Sequence, residues 1–109
     1  MKGTHLGEFE ELVLLTVGAL YPDAYGVGIM DEIGKETGRK VNISAIHSSL
    51  RRLYEKGFVK SEMGGPTNER EGRRKRLFEL KAFGKKALDD AQEQRMSLYN
   101  RIPDISFGN

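Results

Sequence analysis

The sequence contains no cysteine and no tryptophan, and it has no long apolar run. The absence of cysteine excludes a disulfide scaffold, a thiol nucleophile and cysteine-ligated zinc. The longest strictly apolar stretch is residues 12–15, which is too short for a transmembrane helix or a secretory signal. We therefore expect a cytoplasmic protein that has no membrane partner.

Residues that commonly carry catalysis or bind metals are also sparse. The only histidines are His5 and His47, and neighbouring carboxylates such as Asp89 and Asp90 point in different directions when they lie on a helix. The glycine-rich stretch at 64–67 lacks the spacing of a phosphate-binding loop. We expect no enzymatic activity, no cofactor and no metal site. A small enzyme that depends on His47 is the weakest alternative, since no substrate suggests itself.

Positive charge is concentrated in the middle of the 109-residue chain. Residues 1–38 carry 2 basic and 7 acidic side chains (net −5), residues 39–86 carry 14 basic and 5 acidic (net +9), and residues 87–109 carry 2 basic and 4 acidic (net −2). A cationic segment between two acidic ones is typical of a protein that binds a polyanion, although a solvated surface also has such charge.

The apolar periodicity predicts helices over residues 6–20, 24–36, 44–56 and 82–101. A short strand is predicted at 40–43, and a hairpin is predicted from strands at 58–63 and 73–80 joined by a loop at 64–68. This order indicates a mainly α (α+β) fold with a small β-hairpin: a winged helix-turn-helix plus one C-terminal dimerisation helix. We predict a DNA-binding domain over residues 1–81 and a dimerisation helix and tail over residues 82–109.

Single residues predict where the second and third helices end or begin and which side chains they bury. On the second helix, Val27, Met30 and Ile33 are expected to face inward, and Gly38 is expected to end the helix. Ser44 is expected to cap the third helix. Tyr54 is expected on the buried side of that helix, together with Ile46, Leu50 and Leu53. Close helix packing is the simplest explanation for the glycines at 26, 28 and 34.

The third helix has the composition of a helix that enters the major groove of DNA, because one side is apolar and the other is small, polar or basic. The basic hairpin supplies a second contact through phosphates, although its charge also protects an edge strand from aggregation. The predicted DNA contacts are Ser44, His47, Ser48, Ser49, Arg51 and Arg52 on the helix and Arg73, Arg74, Lys75 and Arg76 on the hairpin.

The last helix carries an apolar stripe that a chain of this length can hardly cover, so we expect a homodimer. A two-fold dimer would present two recognition helices to a pseudo-palindromic site in double-stranded DNA. The alternative is that this helix folds back on its own domain. The predicted dimerisation residues are Phe9, Val13, Ala87, Ala91, Leu98 and Ile102.

Five stretches, in order, make the chain resemble the PadR family of transcriptional regulators. They are residues 6–15 (LGEFEELVLL), 23–27 (DAYGV), 44–59 (SAIHSSLRRLYEKGFV), 72–80 (GRRKRLFEL) and 83–88 (FGKKAL). The resemblance, to the short-tailed branch, implies a homodimer held by the first and last helices. It implies repression by operator binding that a small-molecule effector relieves, and it adds Tyr25 to the DNA-contacting residues.

The sequence departs from the family pattern at two points. Family members usually have tyrosine where His47 stands, which would make a contact there sensitive to pH. Some short-tailed members bind flat aromatic drugs between tryptophans, and this chain has none. Phe9, Met96 and Tyr99 are the alternative pocket residues, although packing is the simpler interpretation. The main competing hypothesis is a winged-helix interaction module whose basic face docks an acidic protein partner.

Overall fold

The computed structural model describes residues 5–66, 74–105 and Gly108. The helices are α1 (Glu8–Ala19), α2 (Gly26–Thr37), α3 (Ile43–Glu55) and α4 (Ala82–Tyr99), and the strands are β1 (Val59–Pro66) and β2 (Arg74–Leu80). This is the mainly α fold with one hairpin that the sequence predicts. No helix in residues 5–66 and 74–105 is long and apolar enough to cross a membrane.

One apolar core joins α1, α2, α3, the start of the hairpin and the first half of α4. Its buried members are Val13, Leu14, Val17, Ala24, Ile29, Ile33, Ile46, Leu50, Leu53, Phe58, Val59, Phe78, Ala87 and Leu88. On α3, the buried residues at 46, 50 and 53 follow the spacing of one helical face. That face holds α3 against the core, so the opposite side of the helix is left for a partner.

The segment before α3 differs from the prediction. Residues 38–42 form no strand, and α3 begins at Ile43. Asn42, not Ser44, is the N-cap, and its side-chain oxygen accepts a hydrogen bond from the Ala45 backbone nitrogen at 2.8 Å. Because this cap supplies an acceptor to an otherwise unpaired amide of the first turn, the helix starts earlier than predicted.

Replacing Asn42 by alanine is expected to lower the free energy of unfolding by about 1 kcal/mol, the usual cost of losing an N-cap. Asn42→Ser keeps a capping oxygen and should cost much less. Urea unfolding of both variants measures the difference. If the two variants are equally stable, the cap contributes nothing and the start of α3 is fixed by packing alone.

The second helix ends as predicted, with Gly38 in the left-handed conformation at φ 75°. The inward-facing residues are only partly as expected. Ile33 is buried with Ile29, which lies one turn earlier, and Met30 is half-buried. The expectation for Val27 was wrong, because it is exposed and lies more than about 100° around the helix from Ile29 and Ile33.

The hairpin strands pair in antiparallel fashion, with Val59 opposite Leu80 and Met63 opposite Arg76. The predicted loop at 64–68 was partly wrong, because residues 64–66 belong to β1 after an irregularity in the pairing that follows Met63. The hairpin is also attached to the helices. The Phe78 backbone nitrogen donates to the Ala24 carbonyl at 2.9 Å, and this isolated β-bridge joins the connection between α1 and α2 to β2.

Candidate nucleic-acid interface

The exposed side of α3 faces the hairpin across a groove of about 340 Å³. Its lining residues are His47, Leu50, Arg51 and Tyr54 of α3 and Ser61, Arg76 and Phe78 of the hairpin. The α3 residues follow the i, i+3, i+4, i+7 spacing that places side chains on one side of a helix. Predicted DNA-contacting residues from both elements therefore share one concave surface.

Tyr54 was wrongly expected to face the core; it is 55% exposed. The centre of the buried stripe is set by Leu50 and Leu53, and Tyr54 lies at its edge, one turn after Leu50. Its ring therefore forms part of the groove wall. The sequence signal for this role was its position seven residues after His47, on the same side of the helix.

His47 packs against the beginning of α2. A β-carbon added at Gly26 would lie 2.9 Å from His47 Cε1, so the absence of a side chain at Gly26 makes room for the imidazole. The close helix packing expected at this glycine is thus the contact of α2 with the His47 side chain. At Gly34 that expectation was wrong, since an added β-carbon would make only ordinary contact, 3.7 Å from the Arg39 carbonyl.

Tyr25 connects the helix-turn-helix to the hairpin. It is the N-cap residue of α2, and the Lys75 ammonium lies 4.1 Å from the centre of its ring, which is a cation–π contact. Two residues expected to contact DNA therefore also contact each other. This contact and the pairing of Phe78 with Ala24 fix the hairpin relative to α2.

A buried carboxylate on α1 binds the other side of α3. Glu10 Oε2 accepts from Arg52 Nε at 3.0 Å, and Glu10 Oε1 accepts from Lys56 Nζ at 2.8 Å and from the Gly7 backbone nitrogen at 3.2 Å. Burial raises the pKa of Glu10, but the hydrogen bonds from Lys56, Gly7 and Arg52 outweigh it and hold that pKa below its ordinary value. Glu10 is thus ionised at neutral pH and fixes α3 to α1.

One predicted DNA-contacting residue of α3 needs correction, and a second is exposed as predicted but paired within the chain. Ser49 is fully buried, where its hydroxyl lies 3.4 Å from an Arg52 nitrogen, so it is not on the outer side of the helix. Arg52 was also placed on that side, but its guanidinium is paired with Glu10. Since residue 49 lies only one turn before Leu53, the buried stripe includes it, and a small hydroxyl fits where the helices come close.

The remaining predicted contacts lie where they can reach a partner, with two exceptions on the hairpin. Ser44, His47, Arg51 and Arg76 are exposed, and Ser48 and Lys75 are half-buried. Arg76 donates to the Ser61 hydroxyl at 2.8 Å. Arg73 lies outside the described residues, and only the backbone of Arg74 is described.

The predicted dimerisation residues are divided between core and surface. Val13 and Ala87 are fully buried in the core of their own chain, so they are not available to a partner, and the apolar spacing did not distinguish core from interface. Phe9 is half-buried beneath the Arg39 guanidinium, and Ala91 is half-buried. Leu98 and Ile102 are 62% and 52% exposed.

The second half of α4 is open to solvent within the described part of the chain, where every position from 92 to 105 is exposed. Apolar side chains there and on α1 are correspondingly open to solvent; they are Leu15, Met96, Leu98, Tyr99, Ile102 and Ile105. Arg95 of this segment pairs with Glu11 of α1 at 2.6 Å. No cluster of three histidine or carboxylate side chains suited to a metal occurs in the described part of the chain.

Comparison with solved structures identifies the fold. A PadR-like transcriptional regulator from Bacillus cereus superposes with a TM-score of 0.72 at 13% identity, covering 93% of each chain. A PadR family transcription regulator from Clostridium difficile superposes with a TM-score of 0.66 at 23% identity, covering 86% of this chain and 93% of that one. The chain thus has the winged-helix fold of the PadR-like regulators, which confirms the fold that the sequence resemblance implied.

A third similar structure contains a ligand. Bacillus subtilis PadR, solved in complex with operator DNA, superposes with a TM-score of 0.68 at 18% identity, and the match covers 93% of this chain and 53% of that protein. This chain therefore corresponds to about half of that larger regulator. No protein-family model and no curated protein sequence matches the chain at a significant level.

Proposed function

We propose that this protein is a transcription regulator that binds a specific sequence of double-stranded DNA through the groove side of α3 and the hairpin. The observation that carries the proposal is the convergence of Arg51, His47 and Arg76 on one surface that has the shape of a recognition helix beside a wing. The complex of Bacillus subtilis PadR with operator DNA supports it, because that protein shares the fold.

In this proposal the N-terminal half of α3 enters the major groove. Ser44, Ser48 and His47 are the side chains that reach base edges or the flanking phosphates, since they lie on the first two turns. Tyr25 and Lys75 contact the backbone beside them, and Arg73 and Arg74 remain predicted contacts from the sequence alone. Ser49 is set aside because it is buried, whereas Arg52 stays a predicted contact whose guanidinium is paired with Glu10.

The functional unit in this proposal is a homodimer that occupies a pseudo-palindromic operator. The uncovered second half of α4 supports it, because exposed apolar side chains of one helix are buried most simply against a second copy. From the family resemblance we also propose that the protein represses transcription and that a small-molecule effector releases it. We propose no catalytic role.

Selection of binding sites from random duplexes with purified protein tests the proposal. We expect one enriched sequence with two-fold symmetry. In fluorescence anisotropy, that sequence should bind at least about a thousandfold more tightly than its scrambled form, with an affinity that falls steeply as salt increases. Equal affinity for the two duplexes would contradict the proposal and leave the acidic-protein alternative as the better hypothesis.

Substituting Leu98 tests the dimer. Leu98→Asp places a charge in the proposed interface, and we expect it to weaken dimerisation about tenfold or more in sedimentation experiments without loss of helix content. Asn100→Asp is the control, because it adds the same charge about 200° further around α4. A Leu98→Asp protein that dimerises like the Asn100→Asp protein would show that this part of α4 is not the interface.

A further inference from the structure

The groove between α3 and the hairpin combines an apolar floor with cationic sides. Leu50 and Phe78 form buried apolar surface, and Tyr54 adds an exposed ring. On β2, Phe78 and Arg76 are two residues apart, and Ser61 is the partner of Phe78 in the strand pairing, so all three side chains lie on one face of the hairpin. That face is the one that turns toward α3.

The described part of the chain provides no countercharge for the cations of this groove. Within residues 5–66 and 74–105, no carboxylate lines the groove, and neither Arg51 nor Arg76 forms an ion pair. Arg76 donates only to the neutral hydroxyl of Ser61. By contrast, Arg52 and Lys56 on the same helix are both paired with Glu10. Arg51 and Arg76 therefore leave positive charge in the groove, and this charge favours an anionic occupant.

A nucleic-acid strand has this combination of properties, because its phosphates are anionic and its sugars present apolar surface. When a recognition helix lies in the major groove and a hairpin reaches toward the neighbouring minor groove, the backbone that separates the two grooves must pass between helix and hairpin. The groove lies between these two elements.

We propose that the groove is a seat for one deoxyribose-phosphate strand of the duplex, a proposal that rests on the proposed function. Arg51 and Arg76 bind the same phosphate or two adjacent phosphates, and the ring of Tyr54 packs against a sugar. Arg51 then positions the protein on the backbone and does not read bases. Tyr54 is a DNA-contacting residue that the sequence interpretation placed in the core.

Duplexes that carry a single neutral methylphosphonate linkage, moved one position at a time through the selected site, test this seat. Neutralising the phosphate that sits in the groove should weaken binding of the wild-type protein about tenfold, the usual worth of a charged hydrogen bond. The same linkage should weaken DNA binding by Arg51→Gln or Arg76→Gln less than about twofold, since the arginine that pairs with that phosphate is already absent from the variant. Lys85→Gln, which removes a cation from α4, should keep the full tenfold loss.

Tyr54 is tested by a pair of substitutions at this exposed position. Tyr54→Phe keeps the ring and should bind like the wild type. Tyr54→Ser should bind the selected and the scrambled duplex more weakly by the same factor, about fivefold, because a sugar contact carries no sequence information. The seat is ruled out if every neutral linkage weakens DNA binding by the arginine variants as much as binding by the wild type. It is also ruled out if both arginine variants bind the unmodified duplex with wild-type affinity. In either case specific binding by the wild type would still support the proposed function, which fails only if the wild type shows no preferred sequence.

Discussion

Replacing Gly84 by alanine is expected to lower the free energy of unfolding by about 3 kcal/mol, toward the upper end of what overpacking costs. A β-carbon at this position would lie 2.2 Å from the Phe58 carbonyl oxygen and 3.0 Å from Leu80 Cδ1. The carbonyl cannot move aside easily, because it accepts a hydrogen bond from the Lys81 backbone nitrogen at 2.9 Å. The Phe58 nitrogen in turn donates to the Leu53 carbonyl at 2.9 Å. Gly84 therefore lies where α3, the hairpin and α4 meet.

Gly34→Ala is the matched control, since it makes the same change inside α2 at a position with only ordinary contacts. Alanine has the higher helix propensity, so this variant should be about 0.5–1 kcal/mol more stable than the wild type. Urea unfolding at one fixed protein concentration measures both, because the proposed dimer would make stability depend on concentration. A Gly84→Ala protein as stable as the wild type would mean that α4 does not pack against the start of β1 as described.

Replacing Glu10 by glutamine is expected to lower the free energy of unfolding by about 1–2 kcal/mol at pH 7. The amide keeps the shape of the side chain but leaves Arg52 and Lys56 without a countercharge. Both cations are partly exposed and can be rehydrated, so the loss stays below that of a fully buried pair. Glu8→Gln, in the same helical turn but in an exposed pair with Arg39, should cost only a few tenths of a kcal/mol, about what surface pairs contribute.

The Glu10 contribution should depend on pH in a defined direction. Because the folded pKa of Glu10 lies below its ordinary value of 4.5, folding favours the ionised form. The stabilisation is therefore complete above about pH 4.5 and is lost as the pH falls through the folded pKa. The difference in unfolding free energy between wild type and Glu10→Gln should be constant from pH 7 to 5 and shrink below that. If the difference remained unchanged at low pH, the ion pairs would not be its source.

Local sequence patterns were sufficient to predict most of the helices and strands. The spacing of Ile46, Leu50 and Leu53 identified the buried side of α3, and Gly38 correctly marked the end of α2. The choice between Asn42 and Ser44 as the cap was not decided by the sequence, because both residue types cap helices well. Tyr54 was misplaced for a related reason, since a residue at the edge of an apolar stripe fits either side.

Contacts between distant residues could not be predicted from periodicity. Glu10 binds residues 42 and 46 positions away, and the clash at Gly84 involves a backbone oxygen of another element. The pairing of Arg52 with Glu10 explains why two neighbouring arginines of α3 differ. Arg51 has no carboxylate partner among the residues described, whereas Arg52 is paired with Glu10. Judged by residue type and helical position alone, Arg51 and Arg52 looked equivalent.

The central claim is that duplex DNA binds the groove side of α3 and the hairpin. Backbone amide chemical shifts of isotopically labelled protein, recorded while the selected duplex is added, test it most directly. We expect the large changes to lie in residues 43–54 of α3 and 75–78 of β2, with little change around Lys85 and Asp89 on α4. Large changes along α4, with α3 unaffected, would contradict the account.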